Sequence, residues 1–546
     1  MTIDLGYAWT ALPSGEVVAF VDVPGHQRFL GNMLAGVGPA PAVLFVVAAD
    51  EGWRRQSHEH LAAVDALGVR HGLLAVTRSD LADPAPATAE ALRHLTASSL
   101  AEVPTVAVSG TTGIGLGELR DALDALVARL PPPELDVPVR LWVDRSFTVR
   151  GAGTVVTGTL GAGRLRVGET LQLGHRTVRV RGLQQMGSPT DEVTAVARVA
   201  VNLRDVDRDE VRRGDALLTP DSWRSTAAVD VRLTCEVTER LVLHVGSAAV
   251  PVRVRPLGGD TARLLLEVPL PLRAGDRGLL RDPAAQSVAS GLTVLDADPP
   301  SLRRRGAAAA RADALRPATG RPDLVTEVTR RGAAREEDLR ALGLSPAAAP
   351  GVRQVEGWWV ADSTWAAWSE ALVRAVDAAP PLDDGLSGEA ARRVVGLPDL
   401  RLLAPLALGA GLDSSVGRVR RPGSRPSLGR AEGSVAEVEA LLRQHPFAAP
   451  EVPDLARLGL GPRELAAAES AGRLLRLGGD VVLLPDGPAR AMRTLAALEQ
   501  PFTLSAARSA LGTTRRVAVP LLEHLDHRGW TERLDGSLRR VSRSQP

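Results

Sequence analysis

The segment Asp22-Val23-Pro24-Gly25-His26 combines groups that can act on a phosphate, a magnesium ion and a water molecule. It follows an apolar run at 17–21, which predicts a buried strand. The Asp22 carboxylate can hold Mg²⁺ through water, and the Gly25 backbone N–H can meet a phosphate where a Cβ would crowd the approach. His26 is then placed to orient an attacking water. From these residues alone, the alternative is a strand, a Pro-Gly turn and a surface histidine.

Strands and helices alternate over the first 130 residues. Predicted strands lie at 42–49, 72–76 and 105–108, and predicted helices at 57–67, 87–100 and 118–130. This alternation with short connections indicates an α/β domain with a mostly parallel sheet. Ligands bind such sheets at the carboxyl ends of the strands. We therefore expect a ligand site at the loops that follow these strands.

Composition limits the class of protein. A chain of 546 residues predicts about three to five domains. The net charge of +1 does not indicate a nucleic-acid-binding protein. All 65 basic residues are arginine. The single cysteine, Cys235, excludes a disulfide framework and a multi-cysteine metal site. With no long apolar run and no signal-peptide pattern, we expect a cytoplasmic protein without a membrane partner.

The N-terminal motifs resemble those of the translational GTPases. Asp22 to His26 is similar to the switch II motif, Thr77-Arg78-Ser79-Asp80 lies where this family has its guanine-binding NKxD motif, and Ser109-Gly110 lies at its Ser-Ala-type loop. The resemblance implies GTP and Mg²⁺ as cofactors, with Asp22, Gly25, Thr77, Asp80 and Ser109 at the nucleotide. A carboxylate at Asp80 would accept two hydrogen bonds from guanine. The alternative for Asp80 is a helix N-cap before Leu81.

The opening Met1-Thr2-Ile3-Asp4-Leu5-Gly6 resembles the end of switch I in the selenocysteine-specific elongation factor family. The resemblance implies that Thr2 and Asp22 serve the magnesium ion and that His26 is the catalytic residue that positions water. The family's Walker-A loop and the first strand of its sheet precede this motif and do not occur in the sequence. We expect Met1 to be an internal methionine of a longer protein. The alternative is a non-catalytic RNA- and tRNA-binding adaptor that has lost nucleotide binding.

Short alternating strands with turn residues between them predict two β-barrels, at 137–222 and 223–300. The stretch from Asp144 to Thr159 resembles the second domain of the same family. The resemblance implies that Asp144, Arg145 and Arg198 form the pocket for the selenocysteyl group. Selenocysteine is a selenolate at neutral pH and serine is neutral, so guanidinium groups can discriminate between them by charge. The alternative is that both arginines are solvated or form local ion pairs.

The tail is helical and rich in alanine, leucine and arginine. We predict four winged-helix domains, at 301–378, 379–430, 431–496 and 497–546. In the last, predicted helices at 505–510 and 513–527 precede a hairpin signal at Asp535-Gly536. From residue 497 onward there are eight arginines and five acidic residues, which favours RNA binding. The candidate RNA-binding residues are Arg515, Arg516, Arg528, Arg533, Arg539 and Arg540.

Together these features predict a multidomain protein with an α/β P-loop-type GTPase domain at 1–131, two β-barrels and tandem winged helices. The resemblance implies a monomer whose partners are selenocysteinyl-tRNA, the mRNA hairpin that marks a UGA codon and the ribosome. A general translational GTPase for ordinary aminoacyl-tRNA is a further alternative, and the long winged-helix tail argues against it.

Overall fold

The computed structural model describes residues 5–24, 33, 40–285, 287–379, 385–415, 417–423, 428–478, 480–535 and 538–542. The chain divides into two compact units, residues 1–327 with 334–347, and residues 328–333 with 348–546. Within the described ranges, no helix has the length and apolar character needed to cross a membrane.

Two separate sheets form the N-terminal part of the first unit. The antiparallel strands are β1 (Gly6–Ala11) and β2 (Val17–Asp22), and the parallel strands are β3 (Val43–Ala48), β4 (Gly72–Thr77) and β5 (Thr105–Ala107), in that spatial order. The helices are α1 (Arg55–Ala66), α2 (Pro84–Leu95) and α3 (Leu116–Ala128). The predicted parallel sheet is confirmed, and β4 is buried over its first five residues because strands lie on both sides of it. Strand β1 was not predicted.

Local sequence fixes where two of these helices begin. Helix α2 begins at Pro84, and the carboxylate of Asp83 before it accepts the N–H of Ala85 at 3.0 Å. Helix α3 begins after Gly115, which has φ +77° and whose Cβ, if present, would lie 2.0 Å from the carbonyl oxygen of Ala107. Only glycine fits that close approach of helix and strand.

The first barrel (barrel 1) is a curved sheet with an apolar core. Its strands are β6 (Arg140–Trp142), β7 (Arg145–Val149), β8 (Gly153–Leu160), β9 (Arg164–Arg166), β10 (Thr170–Leu173), β11 (Arg176–Gln185), β12 (Ser188–Thr190), β13 (Glu192–Thr194), β14 (Ala197–Arg204) and β15 (Ala216–Leu218). Strands β10, β15, β6, β8, β14 and β11 are neighbours in that order, and a β10–β11 pairing closes the ring. Side chains of β14 alternate between the core and the outside, so Val199 and Val201 are buried in the core while Arg198 lies on the outer face.

The second barrel (barrel 2) is closed by six strands. They are β16 (Thr226–Leu233), β17 (Arg240–Val245), β18 (Ala248–Gly258), β19 (Thr261–Leu270), β20 (Arg277–Asp282) and β21 (Ser287–Asp296), in the spatial order β16-β19-β18-β17-β20-β21. The two predicted barrels are thus present in the fold.

A buried group of four charges joins barrel 2 to the next helix, α4 (Ala307–Leu315). The fully buried Asp230 accepts Arg263 Nε at 2.7 Å and Arg311 Nε at 2.7 Å, and Arg311 also pairs with Asp296. Two arginines and two aspartates balance one another, as buried charges require. Helix α4 is therefore fixed on barrel 2.

Helices and short strands make up the remainder of the chain, where the sequence predicts four winged helices at 301–378, 379–430, 431–496 and 497–546. The helices are α5 (Leu324–Arg331), α6 (Glu336–Ala341), α7 (Asp362–Asp377), α8 (Gly388–Val395), α9 (Leu403–Gly409), α10 (Glu432–Gln444), α11 (Val452–Arg457), α12 (Pro462–Ser470), α13 (Gly487–Ala496), α14 (Leu504–Ala510) and α15 (Arg515–His527). The strands are β22 (Ala333–Arg335), β23 (Val352–Val355), β24 (Trp358–Ala361), β25 (Leu386–Ser387), β26 (Asp413–Ser415), β27 (Arg418–Arg420), β28 (Leu475–Leu477), β29 (Val481–Leu483), β30 (Phe502–Thr503), β31 (Thr531–Asp535) and β32 (Leu538–Val541). Helix α15 runs through Pro520 without a break.

One apolar cluster runs through the third and fourth winged helices. It contains Val435 and Leu442 of α10 together with Leu521 and Leu525 of α15. In addition, the hydroxyl of Thr513 donates to the carbonyl of Phe447 at 2.6 Å. These two domains therefore share a core.

His244 on β17 gives barrel 2 a pH-dependent stability. Burial, and then the guanidinium groups of Arg281 and Arg213, lowers the pKa of His244 from 6.5 to about 4. The unfolded chain therefore binds a proton between pH 6.5 and 4 that the folded barrel does not bind. We expect barrel 2 to lose roughly 3 kcal/mol of stability as the pH falls through that window. The measurement is the urea midpoint of barrel 2 at pH 7.0 and pH 4.5.

The substitution His244→Gln removes this titrating group, so the difference between the two midpoints should shrink. The matched control is His175→Gln, in an exposed turn of barrel 1, which should leave the difference as it is. An unchanged pH difference in His244→Gln would contradict the assignment.

Candidate functional site: a sheet edge, an arginine pocket and a basic wing

Three predicted nucleotide-binding residues follow the carboxyl ends of β4 and β5. Thr77 ends β4, and its hydroxyl donates to the carbonyl of Val47 at 3.4 Å. Ser109 is fully buried, and its Oγ accepts the backbone N–H groups of Thr111 at 3.3 Å and Thr112 at 3.1 Å. The two loops are adjacent, because the N–H of Ser79 donates to the carbonyl of Val108 at 3.2 Å.

Asp80 is exposed at the same edge of the sheet. Among the described residues, its carboxylate has no hydrogen-bond or ion-pair partner. The N-cap of α2 is Asp83, so the alternative role of Asp80 as a helix cap is wrong. The carboxylate of Asp80 is therefore available to a ligand.

Arg78 contacts acidic side chains of the β3 loop. Its φ is +57°, and its Nη1 donates to Asp50 Oδ2 at 3.0 Å and to Glu51 Oε1 at 2.8 Å. The hydrogen bonds to Asp50, then those to Glu51, raise the pKa of Arg78. The side chain thus holds two loops of the sheet edge together.

Asp22 ends β2 in the separate hairpin, with its carboxylate exposed beside Gly6. Gly6 lies opposite Asp22 in the β1–β2 pair. A Cβ at residue 6 would lie 3.3 Å from Asp22 Oδ2, so glycine at this position leaves room for the carboxylate. Thr2, Gly25 and His26 lie outside the described residues.

Asp144, Arg198 and Thr157 form a hydrogen-bonded group on the outer face of barrel 1, with Asp144 buried and the other two half-buried. Arg198 donates from Nη1 to Asp144 Oδ2 at 2.5 Å and from Nη2 to Asp144 Oδ1 at 3.0 Å. The hydroxyl of Thr157 donates to Asp144 Oδ1 at 2.6 Å. The Asp144 side chain is only 4% exposed, so Arg198 supplies the positive charge that a buried carboxylate needs. Arg198 therefore forms a local ion pair, which is the alternative that the sequence left open for this residue.

Tyr7 joins this group to the N-terminal hairpin. The guanidinium carbon of Arg198 lies 3.7 Å from the centre of the Tyr7 ring, and that of Arg145 lies 5.3 Å from it. Arg145 Nη2 also donates to the carbonyl of Leu5 at 2.8 Å. Both arginines are therefore oriented by β1 and the residue before it. Sequence reasoning missed Tyr7, and no local pattern around it indicates this contact.

A cavity of about 500 Å³ opens beside these residues. Its lining residues are Asp144, Arg145, Ser146, Arg208, Asp209, Val211, Arg212 and Arg213. The lining contains four arginines and two aspartates, so it carries a net positive charge that suits an anion. The sequence analysis named only the first two of these residues.

The predicted RNA-binding arginines divide into exposed and structural positions. Arg515 at the start of α15, Arg528 after its end, and Arg533 and Arg540 on the wing are exposed. Arg528 lies 5.9 Å from the ring of Trp530, which is itself 38% exposed.

Arg516 and Arg539 hold the domain together instead. Arg516 Nη2 donates to the carbonyl oxygens of Ala449 and Pro450 in the third winged helix. Arg539 is only 6% exposed, and its Nε donates to Asp526 Oδ2 at 2.8 Å. The structure thus places Arg539 inside the wing rather than on an outer face.

Four family models match parts of the chain. They are the Elongation factor Tu GTP binding domain at residues 1–129, Elongation factor Tu domain 2 at 153–218, the Selenocysteine-specific elongation factor beta-barrel domain at 223–301, and the Elongation factor SelB winged helix at 493–539. In chain order, all four matched models are domains of elongation factors.

Comparison with individual relatives gives a more specific similarity. The chain is 37% identical over 318 residues to the selenocysteine-specific elongation factor of Escherichia coli (strain K12), covering 56% of this chain and 51% of that protein. It is 36% identical over 314 residues to that of Desulfomicrobium baculatum, covering 53% and 49%. The chain spans about half the length of these relatives. Over the matched residues the chain is similar to selenocysteine-specific elongation factors.

A solved structure supports the same fold. The crystal structure of bacterial selenocysteine-specific elongation factor EF-Sec superposes with a TM-score of 0.74 at 23% identity, covering 99% of this chain and 93% of that one. The predicted multidomain fold class, with a GTPase domain, two barrels and winged helices, is confirmed.

Proposed function

We propose that this chain acts as a selenocysteine-specific translation elongation factor. It would deliver selenocysteinyl-tRNA to the ribosome at UGA codons marked by an mRNA hairpin and hydrolyse GTP on delivery. The observation that carries the proposal is the arginine-lined cavity of barrel 1. Its lining residue Arg145 packs near Tyr7 of the N-terminal domain, and its lining residue Asp144 pairs with Arg198, which also packs on Tyr7. For the domains we propose the boundaries predicted from the sequence, with the GTPase domain at 1–131 and the barrels at 137–222 and 223–300.

The arginine cavity would hold the selenocysteyl group. At neutral pH the selenolate is an anion, whereas the hydroxyl of a seryl group is neutral. Because Asp144 already accepts both terminal nitrogens of Arg198, that guanidinium is fixed before a ligand arrives. Fixed guanidinium groups lose little reorganisation energy on binding an anion, which favours the selenolate over serine.

The substitution Arg145→Met tests this pocket. We expect affinity for selenocysteinyl-tRNA to fall about 10-fold or more, because a hydrogen bond to a charged group contributes about 1.5–3 kcal/mol. Affinity for seryl-tRNA should change by less than about twofold. The measurement is the Kd of each tRNA by fluorescence titration.

The matched control is Arg164→Met, which removes an arginine of the same barrel that pairs with the exposed Asp136. Both affinities should be unchanged in the control. Equal weakening of both tRNAs by Arg145→Met would mean that the arginine attracts RNA generally and does not discriminate the esterified amino acid.

The sheet edge would hold GTP. The exposed Asp80 carboxylate would accept the N1 and N2 donors of guanine, while Thr77 and the buried Ser109 shape the loops beside the base. Asp22 offers an exposed carboxylate, a ligand type that Mg²⁺ prefers, and Thr2 would be the second magnesium ligand. The ion would neutralise charge on the phosphates. Gly25 would approach the γ-phosphate, and His26 would orient the water.

Replacing Asp80 by asparagine should reverse the base preference. An amide can donate to the C2 carbonyl of xanthine but cannot accept both guanine donors. We expect Asp80→Asn to weaken GTP binding about 100-fold, for two lost charge-assisted hydrogen bonds, and to improve binding of xanthosine triphosphate. Competition against a fluorescent guanine nucleotide measures both.

Asp83→Asn is the control, because Asp83 caps α2 three residues further along the chain and faces no base in this proposal. It should keep the preference for guanine. If Asp80→Asn retained that preference, Asp80 would not be the residue that recognises the base.

The fourth winged helix would bind the mRNA hairpin. Arg515, Arg528, Arg533 and Arg540 are exposed and can neutralise phosphates, and Trp530 beside Arg528 offers a ring for an unpaired base. Arg516 and Arg539 support this surface from behind through the contacts described above.

Each exposed arginine should contribute to the salt dependence of RNA binding. We expect Arg515→Gln or Arg528→Gln to lower the slope of log K against log salt by about 0.7–0.9. A fluorescein-labelled RNA stem-loop titrated at several salt concentrations gives this slope. Arg493→Gln, an exposed arginine of α13, is the matched control and should leave the slope unchanged. The same slope in all three variants would place the RNA on another surface.

A further inference from the structure

The first winged helix lacks an element that the last one has. In the fourth winged helix, β30 and α14 are followed by α15, the long helix that carries Arg515. In the first, β22 and α6 are followed by residues 342–351, all of them described, which contain no helix. This segment includes Pro346 and Pro350, and proline disfavours helix for the residue before it as well. The first domain therefore has no counterpart of the helix that would face RNA.

Helix α6 ends instead on an arginine of barrel 2. Arg273 Nε donates to the carbonyl of Ala341 at 3.3 Å, and its Nη2 donates to the carbonyl of Arg340 at 3.2 Å. These are the last two residues of α6, where the helix carbonyls lack the usual partner one turn further on. The carbonyl of Arg340 also accepts the N–H of Gly343 at 2.9 Å. A cation at this end also interacts favourably with the helix dipole. Residues 334–347 accordingly belong to the same compact unit as barrel 2.

Arg273 is itself held in place by a stack of side chains. Its guanidinium carbon lies 3.5 Å from the ring of Trp223, and that of Arg140 lies 4.5 Å from the same ring. Arg140 in turn donates to both oxygens of Asp276 at 2.6 Å. Burial, then Arg140, lowers the pKa of Arg273 to about 10, so this side chain stays charged at neutral pH. The end of α6 therefore faces a positive charge at neutral pH.

Apolar packing and backbone geometry complete the contact. Leu342, directly after α6, is 6% exposed and belongs to the apolar core of barrel 2. Gly343 follows with φ +88°, and a Cβ there would lie 2.7 Å from Cδ of Arg273. The chain can turn beneath Arg273 only because residue 343 is glycine.

We propose that α6 with residues 342–343 is a docking element that binds barrel 2 of the same chain through Arg273 and Trp223. Its role is to fix the segment that leads into residues 348–546. The first winged helix thus serves as an attachment to the barrel rather than as a reader of RNA. The inference does not depend on the proposed tRNA or nucleotide sites.

Hydrogen exchange of the full chain, measured by mass spectrometry, tests the proposal from both sides of the contact. Arg273→Met removes the hydrogen bonds to the end of α6 and the stacking on Trp223. Gly343→Ala adds a Cβ that clashes with the Arg273 side chain. We expect each to accelerate exchange in a peptide covering 336–344 by about 10-fold or more, with exchange in β18 and β19 unchanged. The double variant should exchange no faster than the faster single variant, since both break one contact.

Arg232→Met is the matched control. Arg232 also donates to carbonyls at the end of a helix, those of Leu315 and Arg316 at 3.2 and 3.1 Å, but that helix is α4. It should accelerate exchange at the end of α4 and not in 336–344. Unchanged protection of 336–344 in both Arg273→Met and Gly343→Ala would overturn the proposal. If Arg273→Met destabilises the whole barrel, Gly343→Ala alone decides.

RNA binding by the first winged helix is the competing outcome. The charge reversals Arg335→Glu and Arg340→Glu alter the only two arginines of the described segment 334–347. Under the docking proposal the affinity of the full chain for poly(U) and for a mixed tRNA pool should change by less than about twofold. A 10-fold loss for either probe would assign this segment to RNA and overturn the proposal.

Discussion

Arginine side chains that donate hydrogen bonds across the seams between domains hold the first unit together. Arg145 of barrel 1 donates to Leu5 of the GTPase domain, Arg140 of barrel 1 holds Asp276 of barrel 2, and Arg311 of α4 reaches Asp230. A planar guanidinium group binds two acceptors in a fixed geometry, so each contact fixes an orientation as well as a distance. Because the sequence contains no lysine, every such contact has this directional form.

These buried contacts constrain orientation more than they add stability. An exposed pair such as Arg208 with Asp209 contributes under about 1 kcal/mol, since water and side-chain entropy offset the attraction. A buried pair such as Arg198 with Asp144 repays a desolvation cost, and breaking it by removing one partner leaves an unbalanced charge that costs several kcal/mol. The consequence is a rigid pocket whose charges are already in position, because moving either partner alone is costly. Preorganisation of this kind gives selectivity to a site that binds an anion.

Much of the fold follows from the sequence, while the contacts within the sites do not. Apolar runs indicate β3, β4 and β5, and the parallel sheet brings the loops of Thr77 and Ser109 to one edge. The tryptophans Trp358, Trp359 and Trp365 are buried in the apolar core, and Trp368 is half-buried against it. Tyr7 was missed because its partners Arg145 and Arg198 are distant in sequence. Arg539 was grouped with its neighbour Arg540, but its acceptor Asp526 lies on α15, and no pattern in the wing itself indicates that contact.

Different contacts fix the two ends of the tail that follows the barrels. At the C-terminal end, Arg516 donates to carbonyls of the third winged helix, and the shared apolar core joins the two domains. The last wing is therefore joined to the preceding domain by packed side chains and not by a linker alone. At the other end, α6 is fixed on barrel 2 by Arg273.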